Sequence, residues 1–407
     1  MAIKRAVKMA AASVVLSLLI SGCSIEFIEK SFDDNNKKYS SVSRSETSRK
    51  TSKSISEKSY VVTDTKERQE YSMKKNLNEL QTEIYNRIVY DIEDYALSFT
   101  FENIEQEDFK NAYYAVLEDH PEFFWIGKNF RYHMKTVGDY TVVNVDPDLM
   151  SEDVNVIKGY KEKFERVANN IITEAKKKEN TYEKVLYVHD YIVDHADYDS
   201  ETLDLIKNDE NEGLLNASTA YGCLVEGKAI CSGYSAAFQY LMEMLDIDCY
   251  RVSGTRVSES GPHQWNFLLL DGEYYYIDCT WDDPITSDGQ KRKTYEYFLI
   301  SDGDIFLTHK LDGEREVPQC AGRRYNYYVY NDLFFDEYDF RYIEEVALRD
   351  PFSNIITVKF RSSEYLREAV EDLMTNQMIF TIPHIKGNVS YSESASECIL
   401  TIRINNS

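Results

Sequence analysis

The sequence predicts an α+β protein, and three observations carry that reading. Apolar residues recur at helical spacing along most of residues 65–178, again near 181–195, and after Cys231. Three strand-like runs then follow one another closely, Cys249–Gly254, His263–Leu270 and Glu273–Thr280. The last two are joined by Asp271-Gly272, a strong two-residue hairpin signal.

The first residues read as a leader. Lys4, Arg5 and Lys8 form a basic segment before the short apolar run Met9–Ile20, which ends in Ile20-Ser21-Gly22-Cys23. The run is short for a transmembrane helix. Its end resembles the lipobox of bacterial lipoprotein signals, which implies cleavage after residue 22, lipid on Cys23 and export to the outer face of the cell membrane. Residues 31–59 contain ten serines and almost no large apolar side chains, so they read as a flexible tether behind the anchor.

A stripe of Leu77, Leu80, Ile84, Ile88, Ile92 and Tyr95 predicts a first helix over about 65–97. A second is expected over 106–118, stopped by Pro121 in "DHPEFFWI". Residues 139–145 read as a strand. Ile157, Tyr160, Phe164, Val167 and Ile171 mark a long helix over 152–178. Residues 60–170 are therefore expected to form a mostly helical subdomain, 171–310 the core, and 311–407 a small α/β extension. The extension holds "NIITVKF", a helix near 363–374 and "CILTIRI".

The net charge of −24 speaks against nucleic acid as a partner. Loss of the basic leader makes the exported body more acidic still. The seven cysteines show no CxxC or CxxH spacing, so neither zinc nor any other cofactor is indicated, and seven in so long a chain do not make a disulfide framework. Nothing in the sequence specifies an oligomer.

The stretch "GKAICSGYSAAFQYLMEML" places Cys231 at the start of a helix whose Tyr234, Phe238, Leu241, Met242 and Leu245 recur at three- and four-residue steps. Helix-start amides and the helix dipole favour thiolate there. The Asp271-Gly272 turn sets Leu270 opposite Glu273, and hence Trp265 opposite Asp278. His263 shares the face of Trp265, so His263 and Asp278 become diagonal neighbours, roughly 7–8 Å apart at the backbone. A thiol, a base and an orienting carboxylate are the set needed for nucleophilic attack on a carbonyl, with backbone N–H groups at the helix start meeting the oxyanion.

The order "GKAICSGYS", "GPHQWNFLLLDGEYYYIDCTWDDP" and "YEYFLIS" closely resembles the core of bacterial transglutaminase-like proteins of the papain-like cysteine superfamily. "EKVLYVHDYIVDHADYD", "STAYGCLVEG" and "DHPEFFWI" fit the same resemblance, which covers residues 180–302 best. It implies a nucleophile-bearing helix packed against an antiparallel sheet, with Cys231 as nucleophile, His263 as base and Asp278 as orienting acid. Family members include peptidases, amide cross-linkers and inactive scaffolds. The triad does not choose between water and an amine as acceptor, so hydrolysis and transamidation both stay open. The expected substrate is protein or peptidoglycan peptide; the alternative is a catalytically idle module that binds the cell envelope.

Six further positions bear on the site. Tyr221 is a candidate oxyanion donor, though a packing role is the more common use of such a tyrosine. Trp265, on the face of His263, is a candidate to shield the pair or floor the cleft, and core packing suits it at least as well. His189 and His195 are six apart, which is not the spacing of one metal-binding helix face, and are assigned to structure. Asp282 and Asp283 beside Pro284 read as a turn, with calcium unsupported.

Overall fold

The computed structural model describes residues 70–207, 216–257, 261–284, 292–313 and 315–405. The leader, Cys23 and the serine-rich tether lie outside the described residues. The protein is mixed α+β with antiparallel sheets. Among the described residues no helix is long and apolar enough to cross a membrane.

The first helix, α1 (Glu79–Glu93), starts later than its apolar stripe suggests. Asn78 accepts from the Gln81 amide while the Gln81 side chain accepts from the Asn78 amide, so a capping box sets the start. Leu80 is left largely exposed, whereas Ile84, Ile88 and Ile92 are buried. A short strand β1 (Phe99–Glu102) precedes α2 (Gln106–Asp119). After a 3-10 turn at Pro121–Phe123 come β2 (Ile126–Val137) and β3 (Tyr140–Leu149), which form an antiparallel sheet in the order β1-β3-β2. Only β3 was expected. β1 is too short to show a period, and β2 is interrupted by Lys128, Arg131 and Lys135, so its pairing to β3 had no local signal.

Two helices follow, α3 (Val154–Ala175) and α4 (Thr181–His195), the second capped by Asn180. The boundary expected at residue 170 thus falls inside α3. The reason is packing: one continuous apolar core joins α1, α2, α3, α4 and the central helix. Strand β4 (Asp197–Tyr198) leads to α5 (Ser200–Lys207), and β5 (Lys228–Ala229) pairs with β4 in parallel. Helix α6 (Cys231–Met244) comes next and is buried on nearly every side.

The central sheet contains β6 (Cys249–Arg256), β7 (Pro262–Leu270) and β8 (Glu273–Ile277). After the short helix α7 (Asp302–Ile305), β9 (His309–Leu311) completes it in the order β8-β7-β6-β9. The boundary expected at residue 310 therefore cuts a core strand. Helix α8 (Tyr327–Tyr330) and strand β10 (Phe334–Phe335) lead away. The α/β extension is built from α9 (Phe340–Arg349), β11 (Ile355–Phe360), α10 (Ser363–Val370), β12 (Asn388–Ser394) and β13 (Ile399–Asn405). Its sheet runs β10-β11-β13-β12 over a separate core that includes Ile343, Val358, Leu366 and Ile402.

Candidate active site

Cys231 opens α6. Ile230, extended at φ −97°, precedes it, and no side chain caps the helix. The approach is fastened by the Ile230 amide donating to Ala217 O at 2.8 Å, and by the β4–β5 pair after Gly227, whose φ is +69°. The loop around Ala217 lies so close to the first turn that a Cβ on Gly233 would stand 2.5 Å from Ala217 O. Gly233 is therefore required for the loop to pack there. One turn along, Ser235 Oγ donates to Gln264 Oε1 at 3.0 Å, and Asn266 Nδ2 donates to Ser235 O at 3.0 Å. These bonds seat the start of α6 on β7. The six cysteines among the described residues are all thiols.

The β7–β8 hairpin takes the register written from its turn. Asp271 and Gly272 have φ of +49° and +83°, as a type I′ turn requires. Pairing runs from Leu270↔Glu273 to Asn266↔Ile277, so Asp278 emerges directly after the last pair. His263 Nε2 lies 2.5 Å from Asp278 Oδ2, and both residues are buried. Asp278 Oδ1 accepts from the amides of Thr280 at 2.9 Å and Trp281 at 3.2 Å. Burial alone would raise the Asp278 pKa, but the charges and hydrogen bonds of His263 and His309 outweigh it and hold the carboxyl well below its ordinary range.

His309 was not foreseen. Its Nε2 lies 3.1 Å from the same Oδ2 of Asp278, and its Nδ1 lies 2.8 Å from Thr308 Oγ1. It arrives on β9, opposite Arg256 of β6. Gly254 makes room: a Cβ there would stand 2.1 Å from Lys310 O and 2.7 Å from the Trp265 ring. Trp265 accordingly lies against both imidazoles, stacked on His263 at 5.7 Å and edge-on to His309 at 4.8 Å. Trp281 closes over His309 at 4.4 Å. Burial lowers the His309 pKa and exceeds the opposing pull of Asp278.

His263, Asp278 and His309 together offer three potential metal ligands within 4.8 Å of one another. Such donors suit a transition metal. Here, however, both Nε2 atoms lie at hydrogen-bond distance from one carboxylate oxygen, an arrangement that protons explain. No residue spacing advertised this group.

Tyr221 is buried in the aromatic layer, stacked on Phe124 of "DHPEFFWI" at 4.9 Å and tilted against Tyr160 at 5.5 Å. That is the surrounding of a packing tyrosine. His189 is fully buried, with Nε2 3.1 Å from Asp282 Oδ2 and Nδ1 3.1 Å from Asp190 Oδ1. Asp282 Oδ1 also accepts from Thr294 Oγ1 and the Tyr297 amide, and Asp283 Oδ2 accepts from Tyr234 OH at 2.7 Å. The two acids thus bind protein donors. His195 Nε2 lies 3.1 Å from Leu224 O.

A family model described as the transglutaminase-like superfamily matches residues 165–279. Kyphoscoliosis peptidase of Mus musculus is 25% identical over 172 residues, 40% of this chain, and the match spans only 23% of that protein. Among solved structures, one titled as a crystal structure of a TGase is 21% identical, with a TM-score of 0.29 over 40% of this chain and 47% of that one.

Proposed function

From the premise that residues 165–279 form a transglutaminase-like domain, we propose that this protein is a thiol enzyme that cleaves or transfers amide bonds through a thioester on Cys231. The observation that supports this most is the pinned pair of His263 and Asp278 on the hairpin that packs against the helix opened by Cys231. Asp278 binds Nε2 of His263 and so fixes the ring, which makes Nδ1 the nitrogen that exchanges a proton with the thiol.

In the first half-reaction the Cys231 thiolate attacks the amide carbon, and the oxyanion is met by backbone N–H groups of the first turn of α6. His263 then protonates the departing amine as the C–N bond breaks. In the second, water or an amine attacks the thioester, gives its proton to His263 and releases Cys231. Trp265 lies on the imidazole and shields the ion pair from water. The substrate class is protein or peptidoglycan peptide, reached from the outer face of the membrane by a body tethered through lipidated Cys23. Replacing Cys23 with serine should release the protein from the membrane fraction; unchanged retention would overturn the anchor.

A second reading, an idle envelope-binding module, draws on one observation. Cys231 is only 2% exposed, so a substrate needs an opening to reach it. Iodoacetamide separates the two readings. A competent site alkylates Cys231 near neutral pH well before Cys249, Cys279 and Cys320, and Cys231→Ala abolishes turnover. Equal labelling of all the thiols would leave the idle module.

A further inference from the structure

Asp278 is the point on which the proposed triad turns, and two imidazoles share one of its oxygens. We infer that His309 is a positioning residue: its Nε2–H holds Asp278 Oδ2 so that the carboxylate presents a fixed acceptor to His263. The inference rests on the thiol-enzyme reading above.

The geometry supports a device rather than a chance contact. A carboxylate turns about a broad terminal torsion, so a single bond to His263 would not orient it. Here Oδ1 is held by the Thr280 and Trp281 amides, and Oδ2 takes His309 from the far strand of the sheet. All four donors are in place at once, and the rotation is closed.

His309 is fixed in turn. With Nε2 donating to Asp278, Nδ1 must accept, and the Thr308 hydroxyl 2.8 Å away is its donor. Trp265 and Trp281 enclose the ring. The groups that face it are His263 from β7, Asp278 after β8, Tyr297 from the next loop and Arg256 opposite it on β6. With Nε2 turned to Asp278 and Nδ1 to Thr308, both nitrogens of His309 are committed to fixed partners. His309 touches no reacting atom in this arrangement and acts only through Asp278.

The test uses the exported chain and iodoacetamide labelling of Cys231 over a pH series, read by mass spectrometry, for the unmodified protein, His263→Ala, His309→Leu and His309→Gln. Leucine fills the space without a donor, while the glutamine amide restores one. His309→Leu should displace the labelling profile toward higher pH by about one unit, the effect of one hydrogen bond to a charged group, in the direction taken by His263→Ala. His309→Gln should recover most of that displacement. Near-ultraviolet circular dichroism checks that each variant is folded, and if leucine unfolds the chain, glutamine against asparagine, whose shorter arm cannot reach Asp278, serves the same comparison.

A folded leucine variant with an unmoved profile overturns the inference alone, provided His263→Ala slows Cys231. If Cys231 in the unmodified protein labels no faster than Cys249, Cys279 and Cys320, both readings fall. Stoichiometric zinc in the purified protein, lost in His309→Leu, would also overturn it by making the three side chains ligands.

Discussion

Asp278 and Asp282 leave the same loop four residues apart, and each carries a buried histidine. The two pairs are built differently. His189 has a carboxylate on each nitrogen, Asp282 on Nε2 and Asp190 on Nδ1, so its charged form is favoured and it ties α4 to the loop after β8. His263 meets a carboxylate through Nε2 alone among the described residues, while its acid is shared with a second imidazole. A histidine held by an acid on each nitrogen has no nitrogen left for proton exchange. One bonded on a single side retains a nitrogen for chemistry. The same two residue types thus give a structural clamp in one place and a candidate acid–base in the other, and the count of acids per ring decides which.

The comparison breaks most sharply at the acids. Asp278→Asn should lower turnover by about 10⁴-fold in whichever amide assay Cys231→Ala abolishes, because the amide no longer selects the required tautomer of His263. Its effect on Cys231 alkylation should be far smaller. A loss of turnover below about tenfold would place Asp278 with the structural acids.

His189→Leu should do the reverse. It leaves Asp282 buried without its cation, at a cost of about 3–5 kcal/mol in urea unfolding, while the rate of Cys231 labelling in the surviving folded protein is nearly unchanged. A stable variant with slow labelling would assign His189 to the reaction.

Titration sharpens the contrast, since the two pairs have opposite signs. Burial would lower the His189 pKa, but Asp190 and Asp282 outweigh it and raise it above 6.5. Its contribution to stability is full below pH 6.5 and is lost as pH rises through the raised value. Asp278 is held below its ordinary 3.8, so its contribution is full above pH 3.8 and is lost as pH falls toward the lowered value. Urea midpoints between pH 2 and 9 should show both flanks. His189→Leu should flatten the alkaline one and Asp278→Asn the acid one.

The smallest effect lies in the remaining thiols. Burial pushes Cys320 up to about 12 and raises Cys249 and Cys279 well above the ordinary thiol range. They should label slowly at pH 8 in the folded protein and at a common rate once it is unfolded. Fast labelling of Cys320 before unfolding would show that the packing of its segment on the start of α7 opens readily.

The sequence by itself determined those features whose cause is local. Asp271-Gly272 imposes a turn with two positive φ angles, a two-residue turn allows one register, and that register brings His263 beside Asp278 with no knowledge of the rest of the chain. The start of α6 at Cys231 is likewise written in residue spacing, and the whole of α4 in its spacing and the Asn180 cap. Tertiary structure decided what depends on pairing across long stretches of chain. β2 took its place only by lying along β3, and β9 only by reaching β6 where Gly254 leaves room. His309 lies 31 residues beyond Asp278, and no turn or period links them. The physical reason is that periodicity records which face of an element is apolar, whereas the partner that covers that face is chosen by packing of the whole core.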